Sequence, residues 1–120
     1  MRPHKKLNVW QEAINFVSDV YPILESYPLE EKIGLISQIK RASTSVPINI
    51  AEGAARSSKK EFVRFLYYSM GSISELDTLF EISLNLNYLS AENHKQLIEK
   101  LNKLSAMTNG LIKSLKKDIT

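Results

Sequence analysis

Residues Gln38–Gly53, QIKRASTSVPINIAEG, decide how this chain is expected to fold. Leu35, Ile39, Ala42, Val46 and Ile50 recur at the three- and four-residue spacing that stacks apolar side chains along an α-helix. Ser37, Arg41, Ser45 and Asn49 recur every four residues and stack beside that stripe, with Glu52 close to the same line. A surface helix normally keeps polar and apolar character on opposite sides. Here the two lie next to each other. Pro47 adds a second departure: it has no amide hydrogen, leaves the Ser43 carbonyl without its helical partner, and costs about 3 kcal/mol in a helix interior. Rules broken together in this way mark a segment with a structural or functional job.

Outward from this stretch the chain is helical, with no segment that alternates like a strand. A first helix is expected from about Asn8 to Ser26. Trp10, Ile14, Val17, Tyr21 and Leu24 form one of its seams, and Val9, Ala13, Phe16, Val20 and Ile23 form a second beside it. Pro22 frays its last turn, and Tyr27-Pro28 interrupts the pattern. The second helix is expected from about Leu29 to Ala55, with Glu30 and Glu31 suiting its first turn and a bend or break near Pro47. Ser58 with Glu61 reads as a capping box that starts a third helix, on which Phe62, Leu66, Ser69, Ile73, Leu76, Phe80 and Ser83 follow heptad-like spacing. That helix is expected to end near Asn87. Ser90 is a good N-cap for a fourth, with Leu97, Leu101, Leu104, Thr108, Leu111 and Leu115 as its seam and Gly110 as a mark of close packing. Short connections between long helices favour antiparallel neighbours. The expected fold is all-α: one antiparallel up-down-up-down four-helix bundle spanning residues 1–120, with residues 1–7 as a basic N-terminal tail.

At 120 residues the chain can bury one core with little to spare. It has no cysteine, which excludes disulfides and thiolate metal sites. No apolar run suits a signal peptide or a membrane span, so a cytoplasmic protein without membrane contact is expected. The two adjacent seams of the first helix exceed what one side of a small bundle buries, and Tyr67, Tyr68 and Met70 widen the third helix similarly. Surplus apolar surface of this kind marks an interface, and a homo-oligomer is expected.

The net charge is +3, but its distribution is uneven. Arg2, Lys5 and Lys6 begin the chain, Arg56, Lys59, Lys60 and Arg64 surround the junction after Gly53, and the fourth helix has no acidic residue between Glu99 and Asp118. The stretch from Glu75 to Glu99 is mostly acidic. This asymmetry is compatible with a polyanion partner, RNA or DNA; ordinary solvated helix faces are the plainer reading. Lys5, Lys6, Arg56, Lys59, Lys60 and Arg64 are the candidate phosphate contacts, since an up-down bundle brings their segments to one end.

No catalytic signature accompanies these charges. His4 and His94 read as surface histidines, the glycines are too isolated for a phosphate loop, and no Gly-x-Ser-x-Gly elbow occurs. Glu52 and Glu75 have no nucleophile or metal placed near them. Neither enzymatic activity nor a cofactor is expected. The polar stripe Ser37, Arg41, Ser45, Asn49 and Glu52 has two readings. In the structural one, which is favoured, Arg41 is partly buried and pairs with Glu52 or Glu75, while Asn49 satisfies backbone groups freed by Pro47. In the functional one, Arg41, Asn49 and Arg56 project toward a ligand or a neighbouring subunit.

Several motifs taken together carry a family resemblance: Leu7-x-Val9-Trp10-x-x-Ala13, Tyr27-Pro28, Ser37-Gln38-Ile39-x-Arg41-Ala42, Ser45-Val46-Pro47-x-Asn49-Ile50-Ala51-Glu52-Gly53 and Gly71-Ser72-x-x-Glu75-Leu76. From Leu7 to about Leu89 the chain resembles the bacterial four-helix bundle proteins called 23S rRNA-intervening-sequence proteins. It is also similar to the accessory variability determinant proteins of diversity-generating retroelements. The resemblance implies a ring-shaped homo-oligomer, a pentamer in the second group, that binds nucleic acid and a reverse transcriptase. The expected function is therefore a non-enzymatic binding or scaffold role, with RNA or a ribonucleoprotein as partner. The alternative is an adaptor that docks only on protein.

Overall fold

The serine caps legible at Ser58 and Ser90 both form. In the computed structural model, which describes residues 2–119, the Ser58 hydroxyl accepts from the Glu61 N–H at 3.1 Å and the Ser90 hydroxyl from the Asn93 N–H at 3.0 Å. Each satisfies a backbone donor that a helix start leaves unpaired. The helices are α1 (Asn8–Leu24), α2 (Leu35–Ala54), α3 (Lys59–Asn85) and α4 (Ala91–Lys117). Between α3 and α4, Asn87 takes the left-handed conformation at φ 63°, where asparagine is tolerated better than most residues.

Side-chain pairs fix the helix directions. Ser72 and Ser69 of α3 meet Ser45 and Val46 of α2, while Lys100 and Lys103 of α4 reach Asp19 and Glu12 of α1. Lys59, at the start of α3, pairs with Asp118, just past the end of α4. Later residues on one helix meet earlier ones on the next, so neighbours run antiparallel. Each helix packs on its neighbours in sequence and α4 closes back on α1, leaving α1 opposite α3. The result is an up-down-up-down bundle 48 Å long.

The core follows the apolar stripes. Phe16, Ile39, Val46, Ile50, Leu66, Leu76, Phe80, Leu97, Leu104 and Ile112 are buried, and a large apolar side chain fully removed from water stabilises by about 1.5–3 kcal/mol. On α1 the buried set is Val9, Ala13, Phe16, Val20 and Leu24. The companion seam is only partly covered: Leu24 is buried and Trp10 and Val17 half-buried, while Ile14 at 39% and Tyr21 at 38% exposure face outward. Ser69 is fully buried, and its hydroxyl donates to the Val46 carbonyl at 2.9 Å, so this position of the α3 seam also carries an interhelical hydrogen bond.

Four expectations are corrected or refined. α2 starts at Leu35, because Leu29–Glu31 form a separate 3₁₀ turn and Glu31 Oε1 accepts from the Leu35 N–H at 3.1 Å. Of the bend or break expected near Pro47, the break is absent: α2 continues helically to Ala54, with Pro47 buried. Within the expected basic tail, Pro3–Lys6 form a 3₁₀ turn against α1 and α2, and the His4 ring lies edge-on to Trp10 at 4.9 Å. Gly110 marks no close packing, since it is exposed and a Cβ there would meet nothing within 4 Å. No helix among the described residues is long and apolar enough to cross a membrane.

Candidate nucleic-acid interface

Antiparallel packing gathers the start of α1, the end of α2, the start of α3 and the end of α4 at one end of the bundle. Gly53 is central to this corner. A Cβ on it would come within 2.9 Å of Phe65 Cβ and of the Phe62 ring, so only glycine lets α2 and the start of α3 approach this closely.

All six sequence-selected cations lie toward this end. Lys5 and Lys6 sit on the 3₁₀ turn, whose last part is held by Gln11 Nε2 donating to the Lys5 carbonyl at 3.0 Å. Arg56, in the α2–α3 corner, stands 4.6 Å from the Phe65 ring centre and 3.8 Å from the Glu52 carboxylate. Lys59 pairs with Asp118 at 2.7 Å. Arg64 donates twice to Glu61, at 2.7 and 3.1 Å, and once to the Tyr68 hydroxyl at 3.0 Å. The Glu61 carboxylate also raises the Arg64 pKa above its ordinary value. Lys5, Lys6 and Lys60 make no ion pair among the described residues. These carboxylates are exposed and compete weakly with a phosphate backbone, because surface pairs are worth about 0–1 kcal/mol.

The end of α4 adds cations that sequence reasoning did not select. Lys113, Lys116 and Lys117 are exposed there. Lys116 Nζ donates to the Tyr67 hydroxyl at 2.7 Å, and Lys116 and Lys60 border one shallow hollow with Val63 and Ile119. The signal was present in the run of lysines lacking acidic neighbours. Only the antiparallel return of α4 brings that run beside Lys60 and Tyr67. Glu25, Glu30, Glu31, Glu81 and Glu92 collect at the opposite end, so the long axis is electrically polar.

The polar stripe is placed differently from expectation. Ser37, Ser45 and Asn49 are half-buried along the α2–α3 groove, while Arg41 and Glu52 are exposed. Arg41 pairs with neither Glu52 nor Glu75; it borders a shallow notch with Gln38, Ala42, Ser45, Ser72 and Glu75. The reason is geometric. The stripe sits beside the α2 core line rather than on it, and a long side chain there reaches water without leaving its helix. Asn49 Nδ2 donates to the Ser45 carbonyl and hydroxyl, each at 2.9 Å, one turn back along the helix. It therefore does not serve the Ser43 carbonyl that Pro47 leaves free. Ser72 completes the chain by donating to the Ser45 hydroxyl at 2.9 Å. Arg41 and Asn49 thus part company: one is free to meet a partner and the other is spent within the bundle.

Among the described residues, no group of three His, Asp or Glu side chains is placed to hold a metal ion. His94 Nε2 lies 3.2 Å from Glu81 Oε2 across the α3–α4 seam but makes no hydrogen bond there among the described residues.

Comparison with known proteins agrees with this architecture. A crystal structure, titled as a protein of unknown function from the S23 ribosomal protein family of Bacteroides thetaiotaomicron, superposes with a TM-score of 0.80. The match covers 94% of this chain and 99% of that one at 18% identity, a likeness of fold. No curated protein matches the chain. The family model described as 23S rRNA-intervening sequence protein matches residues 5–110, nearly the whole bundle, and the chain belongs to that family.

Proposed function

We propose that this chain is a non-enzymatic binding module whose basic end engages nucleic acid, RNA foremost, and that it works as a homo-oligomer. One observation carries the reading: cations from four separate segments meet at one end of the bundle while carboxylates gather at the other. A polyanion held by several lysines and arginines releases condensed counterions, and that release supplies affinity without base-specific contacts. Membership of a family named for intervening sequences in ribosomal RNA agrees with such a partner.

Assembly multiplies a modest charge. The outward seam of α1 and the exposed Ile48 of α2 flank an apolar groove between the two helices, floored by Pro47 and Ala51. Burying it against another copy in a closed ring, five-membered in the arrangement that the resemblance implies, would set several basic ends side by side. A reverse transcriptase or another protein is a further partner of the same assembly.

The test is fluorescence anisotropy of a labelled RNA with the full chain, titrated at ~50 and ~200 mM salt. Affinity is expected to fall steeply with salt, and Lys60→Glu with Lys116→Glu is expected to abolish binding while leaving circular dichroism unchanged. Retention of no RNA even at low salt overturns the proposal and leaves the protein-only adaptor in its place.

A further inference from the structure

We infer that the outer face of α3 is a stacking platform for single-stranded nucleic acid, with Tyr67 and Tyr68 as the stacking rings and Lys60 and Lys116 as the adjoining phosphate contacts. This rests on the basic-end reading and narrows it from any polyanion to an unpaired strand.

The two tyrosines are each 47% exposed, although Leu66 and Ser69 on either side of them in sequence are fully buried. They are therefore not core residues that failed to pack; the register of α3 turns them outward. Both rings are held in place. Tyr67 is fixed through its hydroxyl by Lys116, whose Nζ is also 5.2 Å from the ring centre. Tyr68 is fixed through its hydroxyl by Arg64, and Phe65 meets its ring edge-on at 5.4 Å. Anchoring at the hydroxyl limits ring motion, so little freedom remains to be lost when a base arrives.

Position adds to the argument. Tyr67 and Tyr68 lie about 12 Å along α3 from its start, within reach of the basic end. Successive helix residues diverge by about 100°, so the rings are two separate platforms on either flank of the ridge rather than one parallel stack. A strand crossing the ridge can lay one base on each. Aromatic faces beside a positively charged surface are the combination that holds single strands without regard to sequence, because every base has a π-face. A duplex keeps its bases stacked inside and can use only the cations.

The test compares a labelled single-stranded oligouridylate with an RNA duplex of equal length, using the full chain at ~50 mM salt. The Tyr67→Leu/Tyr68→Leu variant is expected to lose about tenfold or more in affinity for the single strand and to change little for the duplex. Tyr67→Phe/Tyr68→Phe is expected to keep most of the single-strand affinity, since stacking needs the ring, and to lose only the smaller part that hydroxyl anchoring contributes. Unchanged single-strand binding by the leucine variant, or equal losses for strand and duplex, overturns the platform while the basic-end reading stands. A leucine variant that keeps RNA affinity but sediments differently also overturns it, and assigns the tyrosines to a subunit contact. If the unaltered chain binds neither RNA, the basic-end reading fails and this inference fails with it.

Discussion

Gly53 and Tyr27 show how much can depend on one atom. Gly53→Ala places a methyl group 2.9 Å from Phe65 Cβ and 3.2 Å from the Phe62 carbonyl oxygen, where backbone would have to move. A destabilisation of about 1–3 kcal/mol is expected, read as a lowered urea midpoint with an unchanged slope. Tyr27 is the opposite case. It is 5% exposed and its hydroxyl makes no hydrogen bond among the described residues; the nearby Ser83 hydroxyl donates to the Leu79 carbonyl at 2.8 Å and opposes, more weakly, the effect of burial. Burial raises its pKa above 10.0, so the neutral phenol is the form the fold favours. Its contribution is complete below the unfolded value and is lost as pH rises through the folded one. Tyr27→Phe is therefore expected to equal or exceed the parent in stability near neutrality, and to lose less of it between about pH 8 and about pH 11. Equal alkaline losses in the two proteins would show that Tyr27 does not carry the effect. Neither environment could be read from sequence, because each is set by side chains from a different helix.

Helices were more legible than sites, because caps and apolar periods are local. Ser58-x-x-Glu61 and Ser90 fixed two helix starts by chemistry contained within four residues. Ser58→Ala is expected to cost about 1 kcal/mol, measured by chemical denaturation, with fraying confined to the first turn of α3 in amide exchange. The start of α2 was misread because its cap is a glutamate reaching forward from a 3₁₀ turn, a pattern with no simple sequence signature. Pro47 leaves α2 unbroken for a different reason: one missing hydrogen bond does not end a helix when burial on both sides holds its axis, as Val46 and Ile50 do here. Arg41 was assigned by the stripe it belongs to. Only the packing of α3 decides which edge of that stripe is covered.

At the scale of the molecule, sequence carried the number of helices, their order and the surplus apolar face of α1. It did not carry the occupant of that face. Ile48 is 53% exposed and Ile14 39%, both beside the α1–α2 groove. If copies share this groove, Ile14→Asp with Ile48→Asp is expected to yield a smaller sedimenting species with unchanged helicity. Sedimentation identical to the parent would remove the groove from any subunit contact. The six cations chosen from sequence lie toward one end, but the contribution of α4 became visible only with the closed bundle. That end-to-end separation of charge has a kinetic consequence. A rod 48 Å long, positive at one tip and negative at the other, is an electric dipole. The field of a nearby nucleic acid exerts a torque on it before any contact forms. On the proposed reading, collisions with that partner are expected to be pre-aligned, tip first, and added salt is expected to slow arrival more than it hastens departure.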